Sequence, residues 1–167
     1  MKVFLIGYMA SGKSNLGRKL AHILKLNFID LDQFIENKTN KTIPYFFRTE
    51  DEKTFREIEM ESLKEIVTTQ DNFILATGGG TPLFYQNMDY MNKHGKTVYL
   101  KVENDILVAR LKNAKKNRPV LTDVPNDELA DFVKKEIAIR EAYYNKAIVI
   151  IDTSAVSVDQ LAMILNY

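Results

Sequence analysis

No cysteine occurs among the 167 residues, which removes disulfide scaffolds, thiolate metal sites and thiol nucleophiles in one step. A chain without cysteine suits a reducing compartment, and the cytoplasm is the expected location. Excess charge is missing too: 23 Lys and Arg face 22 Asp and Glu, a net charge of +1 with both histidines neutral. Domains that hold nucleic acid usually carry a basic excess or stripe, so no nucleic-acid partner is expected and any anion site must be local. Long apolar runs are also lacking. A membrane-spanning helix needs roughly 20 apolar residues, whereas the runs around Val98 to Val102 and Ala147 to Ile151 have strand length, so no membrane partner is expected. Histidine is scarce, with His22 among Leu20, Ile23 and Leu24 and His94 beside Gly95, neither near an acid or ligand partner. The eight tyrosines and nine phenylalanines show no spacing that would make a base-stacking platform.

What remains is an ordinary globular composition, 46% hydrophobic. A domain of this size buries roughly two-thirds of the surface its unfolded chain exposes and needs no staple. One domain over residues 1–167 is expected. Met1-Lys2 followed by Val3 to Ile6 has the outline of a signal peptide, but the run breaks at Gly7 and Lys13 follows, so it reads as a strand. Strands are predicted at residues 2–6, 27–30, 72–77, 96–102 and 147–151, alternating with helical periodicity. That alternation is the signature of βαβ units in a parallel sheet. Leu16, Leu20, Ile23 and Leu24 form one core-facing stripe, and Phe55, Ile58, Ser62, Leu63 and Ile66 another. Thr49-Glu50-Asp51-Glu52 has the form of a capping box and starts the second helix near residue 50. A third stripe runs through Leu129, Phe132, Val133 and Ile137, and Ser157 is placed to cap a last helix through Leu161, Ile164 and Leu165. The segment from Lys112 to Pro125, with four basic residues and two prolines, reads as a long loop. Loops of that length are often lids, although a solvated basic surface is the plainer reading.

Gly7-Tyr8-Met9-Ala10-Ser11-Gly12-Lys13-Ser14 is a complete G-x-x-x-x-G-K-S pattern between a predicted strand and a predicted helix. That is the form of a phosphate-binding P-loop. Successive backbone N–H groups turn inward around phosphate oxygens, the helix N-terminus adds its dipole, and Lys13 can reach the β- and γ-phosphates while Ser14 coordinates Mg²⁺. Asp30 and Asp32 follow at the end of the second strand. In extended backbone every second side chain points the same way, so both carboxylates can converge at the carboxyl edge of the sheet, where ligands bind in open α/β folds. One could serve a metal's shell and the other meet a substrate hydroxyl; alternatively, Asp32 caps a helix starting at Gln33. Thr77-Gly78-Gly79-Gly80-Thr81-Pro82 directly follows apolar Phe73 to Ala76, and glycines in a row make sense where another group must approach the backbone closely. No acidic residue ends this strand, which argues against a motor or switch ATPase.

Three arginines complete the set. Arg56 stands four residues after Glu52 and three before Glu59, where a surface ion pair is the plain reading. Arg140 extends the stripe of Leu129, Val133 and Ile137, and a charged group on an apolar stripe wants an anionic partner. Two guanidiniums could hold a carboxylate by bidentate hydrogen bonds. Arg118, beside Pro119 in the basic loop, could close over a transferring phosphoryl group.

Together these motifs resemble the shikimate kinase family: the P-loop followed by Gly17-Arg18, Asp30-Leu31-Asp32, Phe55-Arg56-Glu57-Ile58-Glu59, Gly78-Gly79-Gly80, Asn117-Arg118-Pro119-Val120-Leu121, and Arg140 with Tyr143-Tyr144 shortly after. They fall in the family's order from residue 2 to about 150. The resemblance implies a three-layer α/β/α fold with a five-stranded parallel sheet, similar to nucleoside monophosphate kinases, with a substrate-binding region at about residues 32–60 and a mobile lid at about 112–125. It implies ATP-dependent phosphorylation of the 3-hydroxyl of shikimate in aromatic amino acid biosynthesis, using Mg²⁺; separately, the sequence shows no obvious exposed apolar stripe, which favours a monomer. ATP would lie on Ala10, Ser11, Gly12, Lys13, Ser14 and Asn15, with Arg118 and Arg110 contributing, and the metal on Ser14 and Asp30. Asp32 would deprotonate the accepting hydroxyl, Arg56 and Arg140 would clamp the shikimate carboxylate, and Gly78, Gly79 and Gly80 would line the substrate. Lys13 and Arg118 would neutralise the migrating phosphoryl. The chain departs from the family at Val120 in the lid motif, at Ala142-Tyr143-Tyr144 where Pro-Leu-Tyr is usual, and at Thr153-Ser154-Ala155 beside the expected adenine site. A gluconate or nucleoside monophosphate kinase would share the P-loop, but the Gly78–Gly80 run and Arg56 to Glu59 favour shikimate. Asn37-Lys38-Thr39-Asn40 is a near miss to a guanine-reading motif, lacking its Asp and lying too early for a nucleotide switch.

Overall fold

The computed structural model describes residues 1–114 and 124–166. In chain order the elements are β1 (Lys2–Ile6), α1 (Lys13–Leu24), β2 (Asn27–Asp30), α2 (Leu31–Thr39), α3 (Ile43–Thr49), α4 (Glu52–Thr69), β3 (Phe73–Ala76), α5 (Asn87–His94), β4 (Lys96–Lys101), α6 (Asn104–Ala114), α7 (Leu129–Tyr144), β5 (Val149–Asp152) and α8 (Val158–Asn166), with a 3₁₀ turn at Thr81–Leu83. The five strands form one sheet in the order β2-β3-β1-β4-β5, and every neighbouring pair is parallel. Chain order reverses at β1, so a crevice opens beyond its carboxyl end, and Gly7 to Gly12 turn there.

Alternate residues of the central strands feed two apolar layers. Phe4 and Ile6 of β1, with Phe73 and Leu75 of β3, pack among α2, α4, α5, α6 and α7. Val3 and Leu5, with Ile74, Val98 and Leu100, pack beneath α1 and α8. Strands covered on both faces are therefore apolar along their whole length, which is why β1 and β3 read as continuous runs in the sequence.

Several local expectations need correction. Ile23 is exposed on α1, because the buried stripe runs through Gly17, Leu20 and Ala21. Asp51, and not Thr49, caps α4, accepting from the Thr54 N–H at 2.6 Å. Thr49 instead closes α3, a short helix that the sequence pattern does not announce. Lys112 does not begin a loop: α6 continues through it to Ala114, following the buried Leu107 and Leu111. Ser157 does cap α8, accepting from Gln160 N at 3.2 Å while Gln160 Oε1 accepts from Ser157 N at 2.9 Å.

Candidate active site

The P-loop is shaped by backbone that other residues rarely adopt. Gly12 (φ 94) ends the loop in the left-handed region immediately before α1, with Ala10 (φ 62) also left-handed, so glycine at position 12 removes a steric cost at the helix N-terminus. Lys13 Nζ donates to the carbonyls of Gly7 at 2.8 Å and Tyr8 at 2.9 Å, which sets its ammonium over the mouth of the loop. Ser14 Oγ donates to Asp30 Oδ2 at 2.7 Å. A cavity of about 300 Å³ lies here, lined by Met9, Ala10, Gly12, Lys13, Ser14, Asn15, Asp30, Asp32, Thr77, Gly78 and Gly79. On the far side of the loop, Ala10, Ser11, Gly12, Asn15 and Arg110 line a further hollow with Thr153 and Val158, and Arg110 Nη1 donates to the Ala10 carbonyl at 3.0 Å. The nucleotide-side residues expected from the sequence thus surround one loop. Arg118 and most of the expected lid lie outside the described residues.

A second cavity, of about 450 Å³, opens between α2, α3, α4 and α7, lined by Asp32, Phe47, Phe55, Arg56, Glu59, Gly78, Gly79, Gly80 and Arg140 among others. Both expected clamp arginines reach it, although they sit on different helices. Arg56 is not the surface residue its spacing suggests. Its Nη1 donates to Glu59 Oε2 at 2.9 Å and its Nη2 to Glu52 Oε1 at 3.2 Å, and the guanidinium lies 4.4 Å from the centroid of the Phe84 ring. A Cβ on Gly80 would stand 2.5 Å from Arg56 Nη2, so the glycine makes room for the guanidinium against the turn. Arg140 pairs with Glu136 Oε2 at 2.7 Å and lies over the Tyr8 ring at 5.6 Å, supplying the polar partner that its apolar stripe demanded.

Asp32, Gly78 and Gly79 belong to both cavities. Asp32 reaches this position by a route the sequence did not suggest: β2 ends at Asp30, and Asp32 stands in the first turn of α2, neither extended beside Asp30 nor capping a helix at Gln33. Burial, reinforced by the carboxylates of Glu59 and Asp30 and opposed by Lys13, pushes its pKa up to about 6. Glu59 is fully buried and accepts from Thr81 Oγ1 at 2.6 Å; burial raises its pKa too, against the pull of Arg56.

Two cavities that share one partly buried carboxylate suit transfer of a group between two ligands, and the family model for shikimate kinase matches residues 9–165. The chain belongs to the shikimate kinase family. It is 45% identical over 146 residues to the shikimate kinase of Phocaeicola vulgatus, spanning 87% of this chain and 83% of that protein. The crystal structure of shikimate kinase from Bacteroides thetaiotaomicron superposes with a TM-score of 0.93 at 38% identity, covering 100% of this chain and 99% of that one. The shikimate kinase of Acinetobacter baumannii in complex with shikimate gives 0.87 at 32% identity, covering 99% and 90%. The fold expected from the motifs is the fold found: a three-layer α/β/α domain with a five-stranded parallel sheet, of the P-loop kinase kind.

The sequence pattern does not single out three residues that the structure places against this site. Glu59, whose spacing from Arg56 suggests a surface ion pair, is fully buried on α4, whereas Ile58, read as core, is only partly buried. Its signal was available: Glu59 lies four residues from Phe55 and three from Ser62, on the buried stripe itself. Tyr144 lies four residues beyond Arg140 and is also fully buried. Phe84, which supports Arg56, has no sequence signal, because only the turn after β3 brings it across.

Proposed function

We infer that this chain transfers the γ-phosphoryl group of ATP to the 3-hydroxyl of shikimate, forming shikimate 3-phosphate and ADP in aromatic amino acid biosynthesis. The observation that carries the reading is the position of Asp32, shared with Gly78 and Gly79 between the P-loop cavity and the cavity holding Arg56 and Arg140. ATP lies on Ala10, Ser11, Gly12, Lys13, Ser14 and Asn15, with Arg110 beside the loop. Shikimate's carboxylate is held by the forks of Arg56 and Arg140, and its ring rests against Gly78, Gly79 and Gly80. Asp32 accepts the proton of the hydroxyl as that oxygen bonds to the γ-phosphorus and the bond to the β-phosphate oxygen breaks. A carboxylate with a pKa near 6 is ionised at neutral pH and is a stronger base than an exposed one. Lys13 offsets charge on the migrating group, as does Arg118 in the family motif; positioning and electrostatics do most of the work in such transfers.

Ser14 Oγ and Asp30 Oδ2, 2.7 Å apart beside Lys13, are hard oxygens suited to Mg²⁺, which proteins commonly hold with one or two ligands plus substrate phosphates. When bound, Mg²⁺ supplies charge neutralisation at the β- and γ-phosphates. Among the described residues no helix is long and apolar enough to cross a membrane. The reading includes a single kinase domain acting as a monomer in the cytoplasm, a reducing compartment that a chain without cysteine suits.

The test is ADP release by the purified protein with ATP and Mg²⁺, comparing shikimate, gluconate, a panel of nucleoside monophosphates and no acceptor. Release only with shikimate is expected. Release with another acceptor would keep the phosphate machinery and overturn the carboxylate clamp.

A further inference from the structure

The hydroxyl of Tyr144 is a buried polar group that the transfer reaction leaves without a task. Tyr144 ends α7, one turn beyond Arg140, and is fully buried. Its ring packs on Tyr99 with centroids 4.9 Å apart, and its O–H donates to the Gly79 carbonyl at 2.6 Å. Burial raises the phenol's pKa, so the group stays a donor. The Gly79 turn also lies against the P-loop: a Cβ on Gly79 would stand 3.5 Å from Met9 N and 3.6 Å from the Gly7 carbonyl oxygen, with the Tyr144 hydroxyl oxygen at 3.7 Å.

The peptide between Gly79 and Gly80 is planar and trans, so its carbonyl and its N–H point in opposite directions. Holding the Gly79 oxygen on Tyr144 therefore aims the Gly80 N–H away from Tyr144. Gly80 lines the cavity of Arg56 and Arg140 and not the P-loop cavity, and among the described residues no backbone acceptor meets its N–H. The Thr81 N–H closes the turn onto the Gly78 carbonyl at 3.2 Å, but such a closure accommodates its central peptide in either of two opposite orientations, and with glycines at both central positions the Tyr144 bond selects one.

We propose that Tyr144 is a positioning residue for the acceptor substrate: its hydroxyl orients the Gly79–Gly80 peptide so that the Gly80 N–H faces shikimate, and it ties that turn to the helix bearing Arg140. The proposal rests on the shikimate reading above. It is tested with Tyr144→Phe, which keeps the ring and removes one oxygen, alongside Tyr99→Phe, which removes a neighbouring phenol oxygen that makes no bond to Gly79. Expected for Tyr144→Phe is a rise in KM for shikimate of roughly five- to tenfold, the scale of one net hydrogen bond, with KM for ATP within about twofold. Tyr99→Phe leaves both KM values within about twofold. If the Phe variant fails to fold, 4-fluorophenylalanine at position 144 decides the matter: its fluorine fills the space of the hydroxyl but cannot donate, so the same rise in shikimate KM is expected, and an unchanged KM would overturn the proposal. A Tyr144→Phe enzyme whose melting temperature falls while its shikimate KM stays within twofold would overturn the proposal and leave the shikimate reading intact. Wild-type enzyme without shikimate-dependent turnover would overturn both.

Discussion

At Asp32 a single oxygen separates a base from a bystander. The side chain sits where the two cavities meet, between Lys13 and Glu59, so asparagine would fill the same space and still accept hydrogen bonds but could not take a proton. Asp32→Asn is expected to keep ATP binding and to lose at least about a hundredfold in kcat, the usual size of a general-base contribution. Titration calorimetry with ATP and steady-state rates with shikimate check the two halves. Near-normal turnover would remove Asp32 from the reaction. The residue types were legible beforehand: a carboxylate after the second strand and two arginines able to fork a carboxylate all reach the cavities expected of them. The environments of those residues were less legible. Arg56 looked like half of a surface pair, yet the turn at Gly80 and the ring of Phe84 enclose it, and both come from a distant part of the chain.

The elements obey shorter-range rules, and their errors are local. The Asp51 carboxylate, holding the Thr54 N–H at 2.6 Å, is pulled below its ordinary 3.8 by that bond. A lowered acid stabilises the fold above its unfolded pKa, and the contribution is lost as pH falls through the folded value. Asp51→Asn keeps a capping oxygen but does not titrate. Wild type is therefore expected to lose melting temperature faster than Asp51→Asn between pH 6 and pH 3, measured by circular dichroism melts; parallel curves would show that the cap charge contributes nothing. Thr49 was mistaken for the cap because a capping box is a pattern of residue types, and Thr49-Glu50-Asp51-Glu52 offers two acceptable caps two positions apart. Where the chain leaves α3 decides between them. Asp32 shows the same effect: a turn of α2 replaces the expected extended backbone, and the carboxylate still arrives because the helix starts at the edge of the sheet.

Across the whole molecule, stability and the site depend on the same central strand. Leu5 of β1 is fully buried beneath Leu20, Ala21, Leu161 and Leu165, two residues before the P-loop begins. Leu5→Ala is expected to lower the unfolding free energy by about 2–5 kcal/mol, a large share of the roughly 5–15 kcal/mol typical of a domain. Urea unfolding should show a lower midpoint at an unchanged slope; an unchanged midpoint would mean that the layer under α1 and α8 adds little. The phosphate machinery was readable from the sequence alone, because a strand, a glycine turn and a helix N-terminus are contiguous and their chemistry is local. Parallel pairing was also readable, since strands covered on both faces are apolar throughout. The strand order β2-β3-β1-β4-β5, the meeting of Arg56 with Arg140, the burial of Glu59 and the bond from Tyr144 to Gly79 were decided only by the tertiary structure. Each joins elements far apart in the chain, and packing of the helices on the sheet, which no local pattern encodes, sets which of their side chains meet.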